Sequence, residues 1–156
     1  MVSPKKRIKG TIVQNINGSF LNQITRSFVI ITIMSDQLKK TLVIGASDNP
    51  ARYSYLAVNR LRSKGHPVVA IGRKPVSVGD VAIDTEKKNF PGIDTVTLYL
   101  SPGLQKEYYD YILSLQPKRI IFNPGTENRE LAELAQAHGI QAMNACTLVM
   151  LGTGQF

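Results

Sequence analysis

The chain has 156 residues, a length typical of one domain, and 43% of them are hydrophobic, which is enough apolar material for one core. Its net charge of +8 is unevenly distributed. Residues 1–33 carry five basic and no acidic side chains, whereas the rest of the chain carries 14 basic and 11 acidic ones. Because the rest is only mildly basic and shows no basic stripe interleaved with aromatics, we expect no nucleic-acid binding. A small anionic ligand suits this charge better.

Cysteine content indicates a reducing compartment, and hydropathy indicates that no segment near the N-terminus spans a membrane. Cys146 is the only cysteine of the chain, so no intrachain disulfide can form. The longest apolar stretch near the N-terminus, residues 28–34, has seven residues, whereas a spanning helix needs about 20. No signal-peptide cleavage pattern follows it. We therefore expect a cytoplasmic protein without a membrane partner.

Residues 1–38 are predicted to be a basic N-terminal extension outside the fold. They open with KKRIKG, are rich in Asn, Ser and Thr, and show no helical periodicity. We interpret residues 1–33 as a disordered arm or as sequence that precedes a native start at Met34. A targeting presequence is the alternative, because such peptides are also basic and free of acidic residues. The folded domain is predicted over residues 39–156.

From Lys39 onward, short apolar runs alternate with segments of helical periodicity. The runs are typical of strands that are buried on both faces of a sheet. A short extended piece is also expected between the second and third runs. The predicted strands are Thr41–Gly45, Pro67–Gly72, Thr95–Leu100, Arg119–Phe122 and Ile140–Met143, with the short piece at Val81–Ile83.

Three segments between these runs have apolar residues at helical spacing. Gly65 and Gly139 stand where a glycine ends a helix. The predicted inward stripes are Tyr53, Leu56, Ala57, Arg60 and Leu61, then Leu104, Tyr108, Tyr111, Ile112 and Leu115, then Leu131, Leu134, Ala135 and His138.

Strands that alternate with helices imply βαβ units and a parallel sheet covered on both faces. The predicted fold is therefore α/β, a Rossmann-like three-layer sandwich with a mostly parallel sheet of about five strands. Ligands of such folds bind beyond the carboxyl ends of the strands, near the point where the strand order reverses. This rule selects the loops that follow the predicted strands as candidate sites.

The loop after the first strand, GASDNPAR, is a candidate phosphate site. Gly45 and Ala46 allow close backbone approach, Ser47 can donate a hydrogen bond, and Arg52 supplies a positive charge. The N-terminus of the following helix would add backbone N–H groups and the positive end of its dipole. The alternative is an ordinary strand-to-helix turn that Ser47 or Asp48 caps.

The loop after the second strand separates the nucleotide classes. A domain that binds NAD places an acidic residue here for the ribose hydroxyls, but this chain has Gly72, Arg73 and Lys74. Two cations match a ligand with an additional ribose phosphate, which means NADP or coenzyme A (CoA). The alternative is a solvated basic turn without a ligand.

The loops after the fourth and fifth strands are the least usual. FNPGTEN places Asn123, Pro124 and Gly125 directly before a helix. The negative charge of Glu127, near the first turn of that helix, would interact favourably with the positive end of the helix dipole. NACTLVML places Cys146 at the end of the last strand, where a small buried residue is a better interpretation than a nucleophile.

The sequence indicates no catalytic or metal centre. His66 falls in the turn before the second strand, opposite the ligand loops, and His138 lies at the end of a helix, so we interpret both as structural or solvated. No metal-ligand spacing and no P-loop occurs, so no metal site and no nucleotide hydrolysis is predicted.

The chain resembles the small stand-alone CoA-binding proteins, which in turn are similar to the CoA-binding domain of the succinyl-CoA ligase α subunit. The resemblance covers about residues 39–156. Its motifs are TLVIGASDNPARYSY, AIGRK, DTVTLYLSP, RIIFNPGTEN and NACTLVMLGTGQF, in this order.

The resemblance implies a Rossmann-like fold with CoA or an acyl-CoA as cofactor. The residues it implies as binding the ligand are those of the four loops: Gly45, Ala46, Ser47, Arg52, Gly72, Arg73, Lys74, Ser101, Pro102, Asn123, Pro124 and Gly125. The ligase subunit carries a phosphorylated histidine in a second domain. No histidine of this chain has an equivalent place, so ligase chemistry is not expected.

We therefore expect non-catalytic binding of CoA or an acyl-CoA. One alternative is an NADP-dependent oxidoreductase, although the glycine fingerprint and a Tyr-x-x-x-Lys pair are absent. Another is a subunit that supplies a CoA site to a separate catalytic chain. The second helical segment carries more tyrosines than one core-facing stripe would use, namely Tyr108, Tyr109 and Tyr111. The chain could therefore self-associate through this face, and the alternative is a solvated helix face.

Overall fold

The computed structural model describes residues 22–29 and 38–156, and the chain divides into two units, residues 1–37 and 38–156. In the first unit, residues 22–29 form helix α1, and every residue of it is exposed. This helix was not predicted. A helix that buries no face needs no apolar stripe, so periodicity could not reveal it. The basic residues 5–9 and the proposed start at Met34 lie outside the described residues.

Residues 38–156 form a mostly parallel sheet covered by helices, which confirms the predicted α/β class. Within the described part of the chain the sheet has seven strands in the order β3-β4-β2-β1-β5-β6-β7, and all neighbouring pairs except β3 and β4 are parallel. The strands are β1 (Thr41–Ala46), β2 (Val68–Gly72), β3 (Ser77–Val78), β4 (Val81–Asp84), β5 (Thr95–Leu98), β6 (Arg119–Phe122) and β7 (Gln141–Asn144).

Two strands were not counted among the predicted five. β3 and β4 form a hairpin whose two-residue loop is Gly79-Asp80, with Gly79 at φ 59°. Val78 and Val81 pair across it, and both are buried. A Gly-Asp pair between two valines is a recognised hairpin signal. The signal was therefore present in the sequence, although only the short piece at Val81–Ile83 was recognised.

Helices cover both faces of the sheet. On one face α2 (Tyr53–Ser63) and α6 (Thr147–Thr153) pack against Val43 and Ala46 of β1. On the other, α4 (Tyr109–Ser114) and α5 (Arg129–Ala137) pack against Leu42 and Ile44 of the same strand. Successive side chains of a strand point to opposite faces, so the continuous apolar run of β1 serves both cores. The remaining helix, α3 (Pro102–Gln105), joins α4 through a 3₁₀ turn at Lys106–Tyr108.

The predicted inward face of α2 was wrong by one residue. Ser54 and Val58 are buried with Ala57 and Leu61, whereas Tyr53 is 72% exposed and Leu56 is exposed as well. Both alternatives satisfy a helical period, because each pairs residues three or four apart. The tyrosine was placed in the stripe for its helical spacing, but the first turn of α2 faces the carboxyl ends of the strands.

The predicted single helix after β5 is three short pieces. The 3₁₀ turn advances fewer residues per turn than an α-helix and so rotates the stripe that the sequence suggested. Leu104, expected inside, is 42% exposed, and the polar Gln105 beside it is fully buried. Ile112 keeps its predicted place in the core.

The strand order decides where a ligand can bind. From β1 the chain moves outward through β2 to the β3–β4 hairpin, then returns to the other side of β1 with β5 and continues to β6 and β7. The reversal lies between β1 and β5. Helices leave β1 and β5 towards opposite faces, which opens a crevice at the carboxyl ends of these strands.

Candidate functional site

A cleft of about 650 Å³ lies at this reversal point, beyond the carboxyl ends of β1, β2, β5 and β6. Its volume is within the range usual for small-molecule and cofactor sites. The structure brings together ten of the twelve residues that the sequence nominated. They are Gly45, Ala46, Ser47, Arg52, Gly72, Arg73, Lys74, Ser101, Pro124 and Gly125.

Gly45 brings the end of β1 against the loop after β5. The pairing of β1 with β2 shifts register between Ile44 and Ala46, and Gly45 is the bulged residue between them, at φ +90°. A Cβ atom at Gly45 would lie 2.9 Å from the backbone carbon and oxygen of Tyr99. Only glycine permits both this φ and this approach.

The turn that follows leaves the N-terminus of α2 open. Ser47 Oγ accepts from the Asn49 N–H at 3.2 Å, and Asn49 Oδ1 accepts from the Ala51 N–H at 2.9 Å. The N-cap residue is Arg52, whose side chain makes no capping hydrogen bond, and the first turn contains no acidic residue. The predicted alternative, a cap by Ser47 or Asp48, is therefore absent. The positive end of the α2 dipole faces the cleft unneutralised.

Gly72 places the basic turn after β2 beside this helix terminus. A Cβ atom at Gly72 would lie 2.3 Å from the Ala46 carbonyl oxygen and 2.7 Å from Ile83 Cγ2, so the end of β2 fits against β1 only as glycine. Arg73 and Lys74 follow directly and are exposed. Their side chains extend from the strand end that lines the cleft.

The cations of the cleft lack a carboxylate partner, as do several other described cations, Arg60 and Lys64 among them. Elsewhere in the described residues, side chains such as Arg62 and Lys118 form ion pairs, with Asp80 and Asp94. No ion pair in the described part of the chain involves Arg52, Arg73 or Lys74. Among the lining residues only Asp48 carries a negative charge. The cleft therefore has a net positive charge, which Asp48 offsets only in part.

Two nominated residues, Asn123 and Pro102, do not line the cleft. The Asn123 side chain is buried and donates to Thr97 Oγ1 at 2.7 Å and to the Leu98 carbonyl at 3.0 Å. Its Oδ1 accepts from the Thr147 N–H at 2.9 Å. This amide joins β5 to the start of α6 and has no donor left for a ligand. Pro102 is the first residue of α3, where its fixed φ favours helix initiation.

In the wall formed by the loops after β5 and β6, Ser101, Pro124 and Gly125 were nominated, but the apolar side chains were missed. Leu100, Leu104 and Tyr108 give it an apolar surface, and Thr126 closes it. Gln105 lies behind this wall, fully buried. Leu104 and Tyr108 had been assigned to the core because their spacing is helical, and spacing cannot separate a core stripe from an apolar cleft wall. A buried glutamine has no sequence signal of its own.

Tyr99 is a buried polar group of this wall. Its hydroxyl is fully buried, and burial raises its pKa to about 12, so it is neutral. The nearby Thr147 and Thr97 hydroxyls favour the phenolate and partly offset that rise, but neither has hydrogen-bond geometry to Tyr99. These threonine hydroxyls bond to each other at 2.8 Å.

The histidines and the cysteine lie outside the cleft lining. His66 is buried at the opposite end of the sheet, where its Nδ1 accepts from the Lys39 N–H at 3.0 Å. His138 is exposed after α5, and Cys146 is the N-cap residue of α6. The described residues contain no group of three or more His, Cys, Asp or Glu that could hold a metal ion. No described helix has the length and apolar character needed to span a bilayer.

Comparison with known proteins agrees with this geometry. Residues 39–152 match the family model described as CoA binding domain. The chain belongs to this family. The matched range covers most of the second unit, including all the strands. No curated protein shows significant similarity to the chain.

Several solved structures are similar to this member of the CoA-binding family. A crystal structure titled as an uncharacterized protein is 51% identical, with a TM-score of 0.75, and the match covers 76% of this chain and 98% of that chain. A hypothetical protein from Pyrococcus horikoshii OT3 is 21% identical, with a TM-score of 0.69 and coverages of 94% and 98%. A protein from Thermus thermophilus is 17% identical at the same TM-score, with coverages of 86% and 98%. The last two show the fold alone.

Proposed function

We propose that the cleft binds CoA or a short acyl-CoA through its phosphates without turning it over. The observation that supports this most is the set of unpaired cations, Arg52, Arg73 and Lys74, around the uncapped N-terminus of α2. A diphosphate at the helix terminus would accept hydrogen bonds from its free N–H groups. The 3′-phosphate would then lie near Arg73 and Lys74.

The second wall suits the remaining part of the ligand. Pantetheine is a flexible chain with amide groups and much apolar surface, and the wall presents Leu100, Leu104 and Tyr108. Gly125 and Thr126 line the cleft beside these side chains, and both of their backbone N–H groups and the Thr126 carbonyl already form hydrogen bonds within the protein. An assignment to CoA therefore uses both walls, whereas a dinucleotide would need a polar partner for its second ribose.

The absence of turnover is supported by the positions of the two histidines and the cysteine. Neither histidine lines the cleft, and Cys146 lies at the start of α6 outside the lining. Tyr99 is held neutral by burial. Incubation with acetyl-CoA should therefore release no free thiol above the buffer rate. Release that depends on protein concentration would contradict this part of the proposal.

Isothermal titration with CoA and dephospho-CoA tests the assignment of the cations. We expect dephospho-CoA to bind about tenfold more weakly, since exposed charge-assisted contacts contribute on the order of 1–2 kcal/mol. The double variant Arg73→Ala/Lys74→Ala should bind both ligands with the same reduced affinity. The matched control is Arg60→Ala/Lys64→Ala, which removes two exposed cations from the other end of α2.

Two outcomes of the titration would overturn the proposal. Equal wild-type affinities for CoA and dephospho-CoA would remove the role given to Arg73 and Lys74. No binding of either compound would remove the function itself. NADP⁺ serves as a third ligand, because it carries a diphosphate and a ribose phosphate but no pantetheine. An affinity for NADP⁺ equal to that for CoA would favour the oxidoreductase alternative.

A further inference from the structure

Gln105 is a fully buried amide that joins the two loops of the apolar cleft wall. Its Nε2 donates to the Leu100 carbonyl at 2.9 Å, in the loop after β5, and to the Thr126 carbonyl at 2.7 Å, in the loop after β6. Both accepting residues line the cleft. One side chain therefore holds together two loops that no strand pairing connects beyond Leu98 and Phe122.

The acceptor side of the same amide continues the connection. Gln105 Oε1 accepts from Asn128 Nδ2 at 2.9 Å, and Asn128 is the N-cap of α5, with its Oδ1 accepting from the Leu131 N–H. Asn128 Nδ2 also donates to the Tyr109 hydroxyl at 2.8 Å. The network thus connects α3, α4 and α5 to the cleft wall, and Gln105 is its centre.

The hydrogen-bond pattern requires glutamine at this position. Two carbonyl oxygens need two N–H donors, and the Asn128 amide needs an acceptor, which together describe a carboxamide. Glutamate would place a carboxylate against two carbonyl oxygens, and leucine or methionine would leave them buried without donors. Asparagine is one methylene shorter and could not reach both.

We propose that Gln105 is a positioning residue that sets the distance between the Leu100 and Thr126 sides of the ligand cleft. The inference rests on the proposed CoA site, because it concerns the wall that meets pantetheine. Gln105 acts through the backbone of the two loops and does not itself line the cleft. Its loss is therefore expected to weaken ligand binding without removing any ligand contact.

The variant Gln105→Glu tests this with a pH profile. At pH 8 the carboxylate repels both carbonyl oxygens, and we expect CoA to bind about tenfold more weakly than to wild type. As the pH falls towards 5, the buried carboxyl takes up a proton and regains one donor, so the ratio of the two affinities should return towards one. Taking the ratio to wild type at each pH removes the titration of CoA itself.

Two further variants separate this role from a general loss of stability. Gln105→Met cannot regain a donor, so its affinity deficit should be the same at every pH. Gln136→Glu introduces the same charge at an exposed site of α5 and should leave the affinity unchanged. A deficit of Gln105→Glu that is independent of pH, or an affinity equal to wild type at pH 8, would overturn the proposal.

Amide hydrogen exchange of the ligand-free protein distinguishes failure of this inference from failure of the CoA assignment. At pH 8 Gln105→Glu should exchange faster than wild type in both segments 99–105 and 123–128, with β1 and β2 unchanged. If wild type binds no CoA but this pattern appears, the connection between the loops stands and the ligand is wrong. Uniform acceleration through the sheet would show a structural role only and would overturn the proposal.

Discussion

The charged side chains at the two ends of the parallel sheet have different partners. At the carboxyl ends, Arg52, Arg73 and Lys74 are exposed and have no ion-pair partner among the described residues. At the amino ends, Asp94 and Lys118 form an ion pair at 3.1 Å. The first arrangement leaves positive potential for an anion, and the second uses charge within the protein itself.

The amino end is also packed around an aromatic ring. Lys39 Nζ donates to the Phe156 carbonyl at 2.7 Å, the Arg119 guanidinium lies 4.6 Å from the centre of the Phe156 ring, and His66 meets the ring edge-on. The difference between the ends teaches that exposed cations without a partner surround the cleft at the carboxyl ends, whereas charged side chains at the amino ends contact a carboxylate, a carbonyl or a ring of the protein itself. Substitutions at the two ends should separate affinity from stability.

Gly72→Ala should have the largest effect of these substitutions. It is an exception to the comparison, because the residue lies at the carboxyl end of β2 but its replacement should lower the stability of the domain. Its Cβ would lie 2.3 Å from the Ala46 carbonyl oxygen, so β1 and β2 must move apart. We expect the free energy of unfolding to fall by about 3 kcal/mol in urea denaturation, and CoA affinity to fall with it.

Gly103→Ala is the matched control for this substitution. No atom lies within 4 Å of the Cβ position at Gly103, which is in helix α3. Alanine favours a helix over glycine, so stability should stay unchanged or rise slightly. Equal losses in the two variants would show that the close approach of β2 to β1 is not what requires glycine at residue 72.

The candidate site shows how much of the molecule could be predicted from the sequence. The loops that line the cleft were predicted because parallel strands end at one edge of the sheet, and that follows from the alternation of strands and helices. Arg73 and Lys74 were found as unusual residues at a position known from the fold. Asn123 was nominated by the same rule, but the rule locates a backbone position and not the direction of a side chain. Asn123 turns inward to Thr97 and Thr147.

The apolar side chains of the second wall of the cleft could not be predicted for a different reason. Its shape depends on the 3₁₀ turn at Lys106–Tyr108, which rotates Leu104 outward and Gln105 inward. Hydrophobic periodicity assumes a constant helical period and therefore gives the opposite orientation for both. The partners of Gln105, at Leu100 and Thr126, come from two separate loops.

Asp94→Asn should sharpen the comparison by lowering stability without lowering affinity. Burial alone would raise the pKa of Asp94, but hydrogen bonds from Thr95 and Lys118 and the nearby positive charges lower it below the usual value. Asparagine loses that charge, and we expect the free energy of unfolding at pH 7 to fall by about 1–2 kcal/mol. CoA affinity by titration should equal that of wild type.

Glu133→Gln is the control for the loss of Asp94. Glu133 forms an exposed ion pair with Arg129 on α5, and such pairs contribute little to stability because water and salt screen them. A larger loss from Glu133→Gln than from Asp94→Asn would mean that burial of the Asp94 carboxylate does not strengthen the pair at the amino end. A fall in CoA affinity in Asp94→Asn would show that the two ends are coupled.

His66 gives the amino end a pH dependence. Burial, followed by the charges of Lys39 and Arg119, lowers the pKa of His66 below 6.5. The unfolded chain then binds more protons than the folded one below that pH, so the free energy of unfolding should fall as the pH drops below about 6.5. Protonation of Nδ1 would also end its hydrogen bond from the Lys39 N–H.

Urea midpoints measured between pH 8 and pH 5 test this for His66. We expect His66→Gln to be less stable than wild type at pH 8 and to show a smaller decline towards pH 5. The exposed His138, replaced by glutamine, should leave the decline of the wild type in place. A decline that is unchanged in His66→Gln would assign the acid sensitivity to other groups, such as the carboxylates.

Cys146→Ser should have the smallest effect and tests whether the end of β7 takes part in binding or only in structure. Cys146 is the N-cap of α6 and makes no capping hydrogen bond, whereas a serine hydroxyl at an N-cap accepts from the N–H groups of the first turn. We expect the free energy of unfolding to rise by about 0.5 kcal/mol, with Cys146→Ala equal to wild type. Since the side chain lies outside the cleft lining, CoA affinity should be unchanged in both. Reduced affinity in serine and alanine variants alike would extend the candidate site to β7 and give the thiol a ligand contact that the cleft does not show.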